Sequence, residues 1–440
     1  MKSIFWIVLT AATACAAAND TFFLRGVTVH PVSGPNQDGV SVLVENGKIV
    51  DIGAKLKPAK NVKVIEGKGL HVYPGMIDSA TEVGISEIGS VRESQDTTEL
   101  GDFNPQLRAS TVVNPSSEHI PVTRANGITS VLVLPGGAAT SMGFGFGGLN
   151  PVVTGQASLM RLDGWTWEEM EIKRAAAMQL KFPVIRAIPA RFAALAAESG
   201  MPRATYADAK RTYDRQIQQL HEFIENARRY QRAKAAKDSD FKPDLRFEAM
   251  IPVLEGKLPL MVSATRARAI REALDFAEKE KLRIILAGIE EVNPDLLAKI
   301  KKANVPVIVG PTLDLPNEDD DPYDAKPMIP VELHKAGIKF AFGTFNTQFS
   351  RNLPYQAATA VAFGLPGEEA LKAVTLNAAE LWGVADQCGS VEKGKWADLI
   401  VTDGDPLETS TQIRHMFIKG KEVDLSSKHT KLYEKYLARP

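Results

Sequence analysis

Seven histidines are scattered through 440 residues, at His30, His71, His119, His221, His334, His415 and His429. The chain contains no His-x-His, His-Glu-x-x-His or Cys-x-x-Cys. Zinc and related ions need imidazoles, thiolates and carboxylates converging on one point, so the spacing supplies no ready metal motif. Nothing in the sequence clusters the histidines, and each reads as a surface or hydrogen-bonded structural residue. His119, in a long loop, is the one placed to approach a site. Asp78 and Glu82 stand four apart at the end of an apolar strand, a spacing open to acid–base work by a carboxylate pair. Ser263 carries a nucleophile's hydroxyl, but with no histidine in a motif beside it the default is a buried hydroxyl. Arg266 opens a helix, where it can receive an anionic ligand or pair with a surface acid.

Other motifs fail on context. Gly143-Phe144-Gly145-Phe146-Gly147-Gly148 has the letter pattern of a dinucleotide loop, but Leu149-Asn150-Pro151 follows where a helix must start. The run Glu318-Asp319-Asp320-Asp321-Pro322-Tyr323-Asp324 lacks calcium-loop spacing and reads as a solvated charge run. Cys388 is the sole cysteine besides Cys15, so it reads as a packing residue.

The elements that would position these residues alternate. Apolar strands are predicted at Val72–Asp78, Thr129–Leu134, Leu258–Ser263, Arg283–Ala287, Val305–Gly310 and Ile338–Gly343. Helices are predicted at Trp167–Lys181, Ala207–Lys234, Arg266–Glu280, Pro294–Ala303, Pro330–Ala336, Pro354–Phe363 and Glu368–Leu376. Such alternation implies parallel βα units, and so many in a row imply a closed barrel. Between them, Val83–Ser158 reads as an elaborated loop. Short strands around an Asn46-Gly47 hairpin turn, and a second strand-rich block near Ala397–Val423, suggest one further β unit built from both ends of the chain. The expected class is therefore α/β: a (β/α)8 TIM-like barrel over 73–385, with an insertion at about 83–158, and a small composite β-sandwich from 19–72 and 386–425, followed by a tail at 426–440.

Residues 1–18 combine Lys2, an apolar run from Ile4 to Leu9, and Ala16-Ala17-Ala18. That is the form of a secretory signal peptide, too short in its apolar part to span a bilayer. The expectation is an exported, periplasmic protein. A competing reading uses Ala12-Thr13-Ala14-Cys15 as a lipoprotein signal with Cys15 as the lipid anchor. With 52 basic against 53 acidic residues, no nucleic-acid partner is expected.

Five segments, in order, resemble the amidohydrolase superfamily, and within it imidazolonepropionase-like and dipeptidase-like exported members. They are Tyr73-Pro74-Gly75-Met76-Ile77-Asp78, Ile120 to Thr129, Leu162 to Met170, Ala370 to Glu380 and Gly389 to Val401. The resemblance implies a barrel mouth holding one or two divalent metals, with metal-activated water attacking a C–N bond. The family's first two histidines would fall at Ala80 and Glu82, others at Ser263 and Thr265, and its metal-binding aspartate at Phe345. Alanine and phenylalanine have no lone pair to give, so no metal is expected. The chain is then read as a degenerate family member that binds a ligand, through Glu82, Ser263, Thr265 and Arg266, or supports a catalytically intact amidohydrolase paralogue or a second copy of itself. The alternative is an active amidohydrolase with an unusual site around Glu82 and Asp78, the one case that would call for zinc. A purely structural envelope protein would leave the barrel-mouth loops unexplained.

Overall fold

A computed structural model describes residues 20–60, 62–136, 151–185, 206–237, 241–316 and 321–439. The leader with Cys15, the glycine-rich run at 143–148 and Glu318–Asp320 lie outside the described residues.

Two eight-stranded sheets organise the chain. The first takes strands from both ends. Its members are β1 (Phe22–Val29), β2 (Gln37–Glu45), β3 (Lys48–Gly53), β4 (Lys63–Glu66), β5 (His71–Pro74), β14 (Leu399–Thr402), β15 (Ile413–Ile418) and β16 (Lys421–Glu422). The path runs β16-β15-β14-β5-β1-β2-β3, with β4 beside β1. β5 is the joint: it lies parallel to β1 and antiparallel to β14. Alternation along β1 and β2 buries Phe22, Leu24, Val42 and Val44 against Leu399 and Phe417. The Asn46-Gly47 turn, with both φ positive, packs onto the equally tight Lys419-Gly420 turn from the far end of the chain. A methyl on Gly47 would sit 2.4 Å from the Lys419 carbonyl oxygen, so only glycine fits there.

The second sheet is a nearly closed barrel. It runs, in spatial order, through β6 (Met76–Thr81), β7 (Ile128–Val133), β8 (Val153–Arg161), β9 (Glu171–Lys181), β10 (Leu260–Ser263), β11 (Ile284–Ala287), β12 (Val307–Val309) and β13 (Phe340–Phe342). The ends meet where the Phe345 N–H donates to the Ala80 carbonyl at 2.7 Å. Neighbours are parallel except β8, which is antiparallel to both β7 and β9. This corrects two expectations. Trp167–Lys181 is not a helix: only Trp167–Met170 is helical, and Glu171–Lys181 is barrel strand. Val153–Ser158, assigned to the loop insertion, is also barrel strand, buried throughout. The physical reason is connection length. Nine residues separate Arg161 from Glu171, and a parallel crossover needs about a dozen or more.

Helices cover the barrel where their apolar stripes allow. Ala267–Glu280 buries Ile270, Ala273, Leu274 and Ala277, spaced at three and four, and ends on Lys281 in the left-handed region. Pro294–Ala303 starts on Asn293, whose side chain accepts the Leu296 N–H at 3.0 Å. The helix Leu245–Leu254 was not anticipated from sequence. Among the described residues no helix is long and apolar enough to cross a membrane.

The candidate site at the barrel mouth

Asp78 is fully buried on β6. One of its carboxylate oxygens accepts the N–H groups of Ala80 (3.1 Å) and Thr344 (3.0 Å). The other accepts the hydroxyls of Thr344 (2.5 Å) and Ser350 (2.8 Å). These bonds tie the first barrel strand to the segment that follows the last. Burial pushes the Asp78 carboxyl up to about 6, against the pull of its four donors. The folded value exceeds the ordinary 3.8, so the native state holds this proton more tightly than the unfolded chain does. The stabilisation is complete below about pH 4 and is lost as pH rises through 6. Asp78→Asn removes that titration while leaving an amide oxygen for both N–H groups. Relative to the variant, the wild type is expected to lose about 3 kcal/mol between pH 4 and 7.5. Urea unfolding of both proteins across that range checks it; parallel pH profiles would refute it.

Glu82 lies just beyond β6, half-buried and already engaged with other groups. Ala80 and Phe345, two positions where the family resemblance places metal ligands, belong to the apolar cluster that fills the barrel, with Leu134, Ala287 and Ile308. Phe345 is 2% exposed with φ +51°. A methyl on Gly288 would touch its ring at 3.6 Å, so the phenyl group lies across the end of β11. Gly343 and Ala80 press together: a methyl on Gly343 would stand 2.6 Å from the Ala80 methyl.

Ser263, Thr265 and Arg266 are tied to their surroundings in different ways. The Ser263 hydroxyl accepts from Gln179 Nε2 at 2.8 Å, and its carbonyl accepts the Phe182 N–H. The Thr265 carbonyl accepts the Glu290 N–H at 2.9 Å. Arg266 lies 4.0 Å from Asp321, at the end of the acidic run. Sequence reasoning missed Gln179 and Lys181, because both lie on β9. Gln179 is buried, its Oε1 without a hydrogen-bond partner among the described residues. The Lys181 ammonium donates to the Gly136 carbonyl. Alternation along β9 places these two side chains on the same face of the strand.

Among the described residues no group of three or more His, Cys, Asp and Glu side chains is arranged to hold a metal ion. At the five positions where the resemblance places ligands stand Ala80, Glu82, Ser263, Thr265 and Phe345, a set with one carboxylate and no imidazole, which does not fit a divalent centre of the family's kind. His119 does not reach a mouth cluster; its Nε2 lies 2.9 Å from the Glu87 carbonyl. The histidines are not all isolated, however. His30 Nε2 and His71 Nδ1 share a hydrogen bond at 2.9 Å, brought together by the β1–β5 register, and His30 stacks on Tyr73. Burial and the neighbouring His71 hold His30 below the ordinary imidazole range. Cys388 is buried, its thiol pushed up to about 12 by desolvation, as suits a packing residue.

A barrel of eight strands carrying a second sheet from both chain ends is an architecture shared with solved amidohydrolases. An amidohydrolase from Thermotoga maritima superposes with a TM-score of 0.76 at 24% identity, covering 92% of this chain and 99% of its own. The Amidohydrolase family profile matches residues 264–423. The chain is 23% identical over 404 residues to "Amidohydrolase tasK" of Hapsidospora irregularis, covering 86% of this chain and 39% of that protein. It is 38% identical over 90 residues to the imidazolonepropionase of Flavobacterium johnsoniae, covering 20% of this chain and 21% of that protein. This chain shares its fold with a solved amidohydrolase, and its C-terminal part from 264 to 423 is similar in sequence to the Amidohydrolase family. It spans about two fifths of the first of these curated relatives and about a fifth of the second.

Proposed function

We propose that this protein keeps the amidohydrolase barrel without its metal-dependent hydrolysis, and that it binds a ligand at the mouth or supports a catalytically intact amidohydrolase paralogue or a second copy of itself. One observation supports the reading: the Phe345 ring is buried in the apolar cluster inside the barrel, at the position where the resemblance puts the family's ligand and proton acceptor. A phenyl group offers no lone pair and excludes the water that a metal would activate. The alternative, catalysis by Glu82 with Asp78, asks for a carboxylate that can reach substrate, whereas Asp78 is enclosed and saturated with donors. A relative more than twice as long as this module supports the idea of a fold that works beside further chain. The reading includes export through residues 1–18, with lipid attachment at Cys15 as its variant.

The test is metal analysis of protein purified without chelators and again after incubation with zinc. Far less than one ion per chain is expected in both preparations. Stoichiometric zinc, lost on substituting Glu82, would sink the proposal.

A further inference from the structure

Among the described residues, one α-helix buries none of its side chains. It is Lys428–Leu437, and every position from Lys428 to Arg439 is exposed. It opens on a capping box, with Ser427 and Thr430 exchanging side-chain and backbone hydrogen bonds. A ten-residue helix cannot be held by propensity and one cap alone; most helices this short exist because one face is covered.

The uncovered face is largely apolar, with the exposed imidazole of His429 among its side chains. Leu432, Tyr433, Tyr436 and Leu437 are spaced i, i+1, i+4 and i+5, so they share one side, with exposures of 38%, 67%, 50% and 68%. Lys428, Lys431 and Lys435 fall at i, i+3 and i+7, on the other side, joined by Arg439. The Arg439 guanidinium sits 4.4 Å from the centre of the Tyr436 ring. Glu434 is the sole carboxylate among these residues, against four cations.

We propose that this helix lies on an anionic lipid bilayer, its leucines and tyrosines at the headgroup–acyl boundary and its lysines turned to the lipid phosphates. The charge decides the occupant. An excess of cations flanking an apolar stripe complements a negatively charged surface, and lysine stems reach from the stripe's edge to the phosphates. Tyrosine suits this depth because its ring is apolar and its hydroxyl stays wet. The same surface on a second copy of this chain would set four cations against four, which disfavours self-pairing. This association is independent of any reading of the barrel mouth and of the leader.

The experiment is co-sedimentation of the full chain with vesicles containing phosphatidylglycerol, and with vesicles of phosphatidylcholine alone. Two variants share the same chain start: Lys428→Glu/Lys431→Glu/Lys435→Glu and Leu432→Ser/Tyr436→Ser/Leu437→Ser. Neither touches a buried residue, so both are expected to fold. The parent should bind the anionic vesicles, release in high salt, and bind neutral vesicles weakly. Each variant should lower partitioning by about tenfold or more. Equal binding to both vesicle types, or binding undiminished in either variant, would overturn the proposal. So would a dimer of the parent in lipid-free ultracentrifugation that the serine variant abolishes, because the occupant would then be a second copy.

Discussion

Phe345→Ala is expected to destabilise the protein by about 3–5 kcal/mol. The ring is 2% exposed and packs with Ala80, Ala287 and Ile308, so truncation removes its transfer energy and leaves a void bounded by strands that are hydrogen-bonded in place. The backbone adds a second, ordered expectation. Phe345 sits at φ +51°, a conformation that costs a non-glycine residue about 1–2 kcal/mol. Phe345→Gly also deletes the ring but relieves that strain, and so should be less damaging than Phe345→Ala by about 1 kcal/mol. Urea unfolding of the three proteins measures both. If alanine costs under 1 kcal/mol, or glycine proves the worse substitution, the ring is not the plug described here.

The buried pair Arg161–Asp398 should be comparably sensitive. Arg161 ends β8, and Asp398 directly precedes β14, so their 3.2 Å contact joins the barrel to the composite sheet. Both side chains are 3% exposed. Asp398 also accepts the Lys419 N–H at 2.7 Å, and its own carbonyl accepts the Gly75 N–H. The Arg161 guanidinium lies over the Trp396 ring, with one terminal nitrogen buried and without a hydrogen-bond partner among the described residues. Removing one charge strands the other in a dry junction, which costs about 3–5 kcal/mol. Asp398→Ala and Arg161→Ala should each lose that much, and the double variant much less than their sum. Additive losses in that cycle would show that the two groups act separately.

Much of the architecture was readable from residue pattern because it rests on contiguous apolar runs. Leu258–Ser263, Arg283–Ala287 and Ile338–Gly343 overlap the observed β10, β11 and β13, and Pro294–Ala303 coincides with its helix. β9 was not readable, because apart from Ile172 the segment Glu171 to Lys181 is composed of Ala, Leu, Lys, Arg, Glu, Gln and Met, all good helix formers. Burial overrides propensity there: Ala176 to Leu180 are enclosed by β8 on one side and β10 on the other. That error hid Gln179 and Lys181, so two of the mouth's polar groups went unnoticed. The linker between Arg161 and Glu171 held the correcting signal, being too short for a parallel return. The His30–His71 contact was invisible for a different reason. They stand forty-one positions apart, and only the pairing register of β1 and β5 makes them neighbours.

Because β5 is flanked by β1 on one side and β14 on the other, the order of synthesis matters. A ribosome delivers β1 to β5 more than three hundred residues before β14 exists. Throughout that interval one margin of β5 has its N–H and C=O groups facing water, an invitation to stick to other nascent chains. The barrel must grow while tethered to this half-made platform, and only the arrival of β14, after the last barrel strand, seals it.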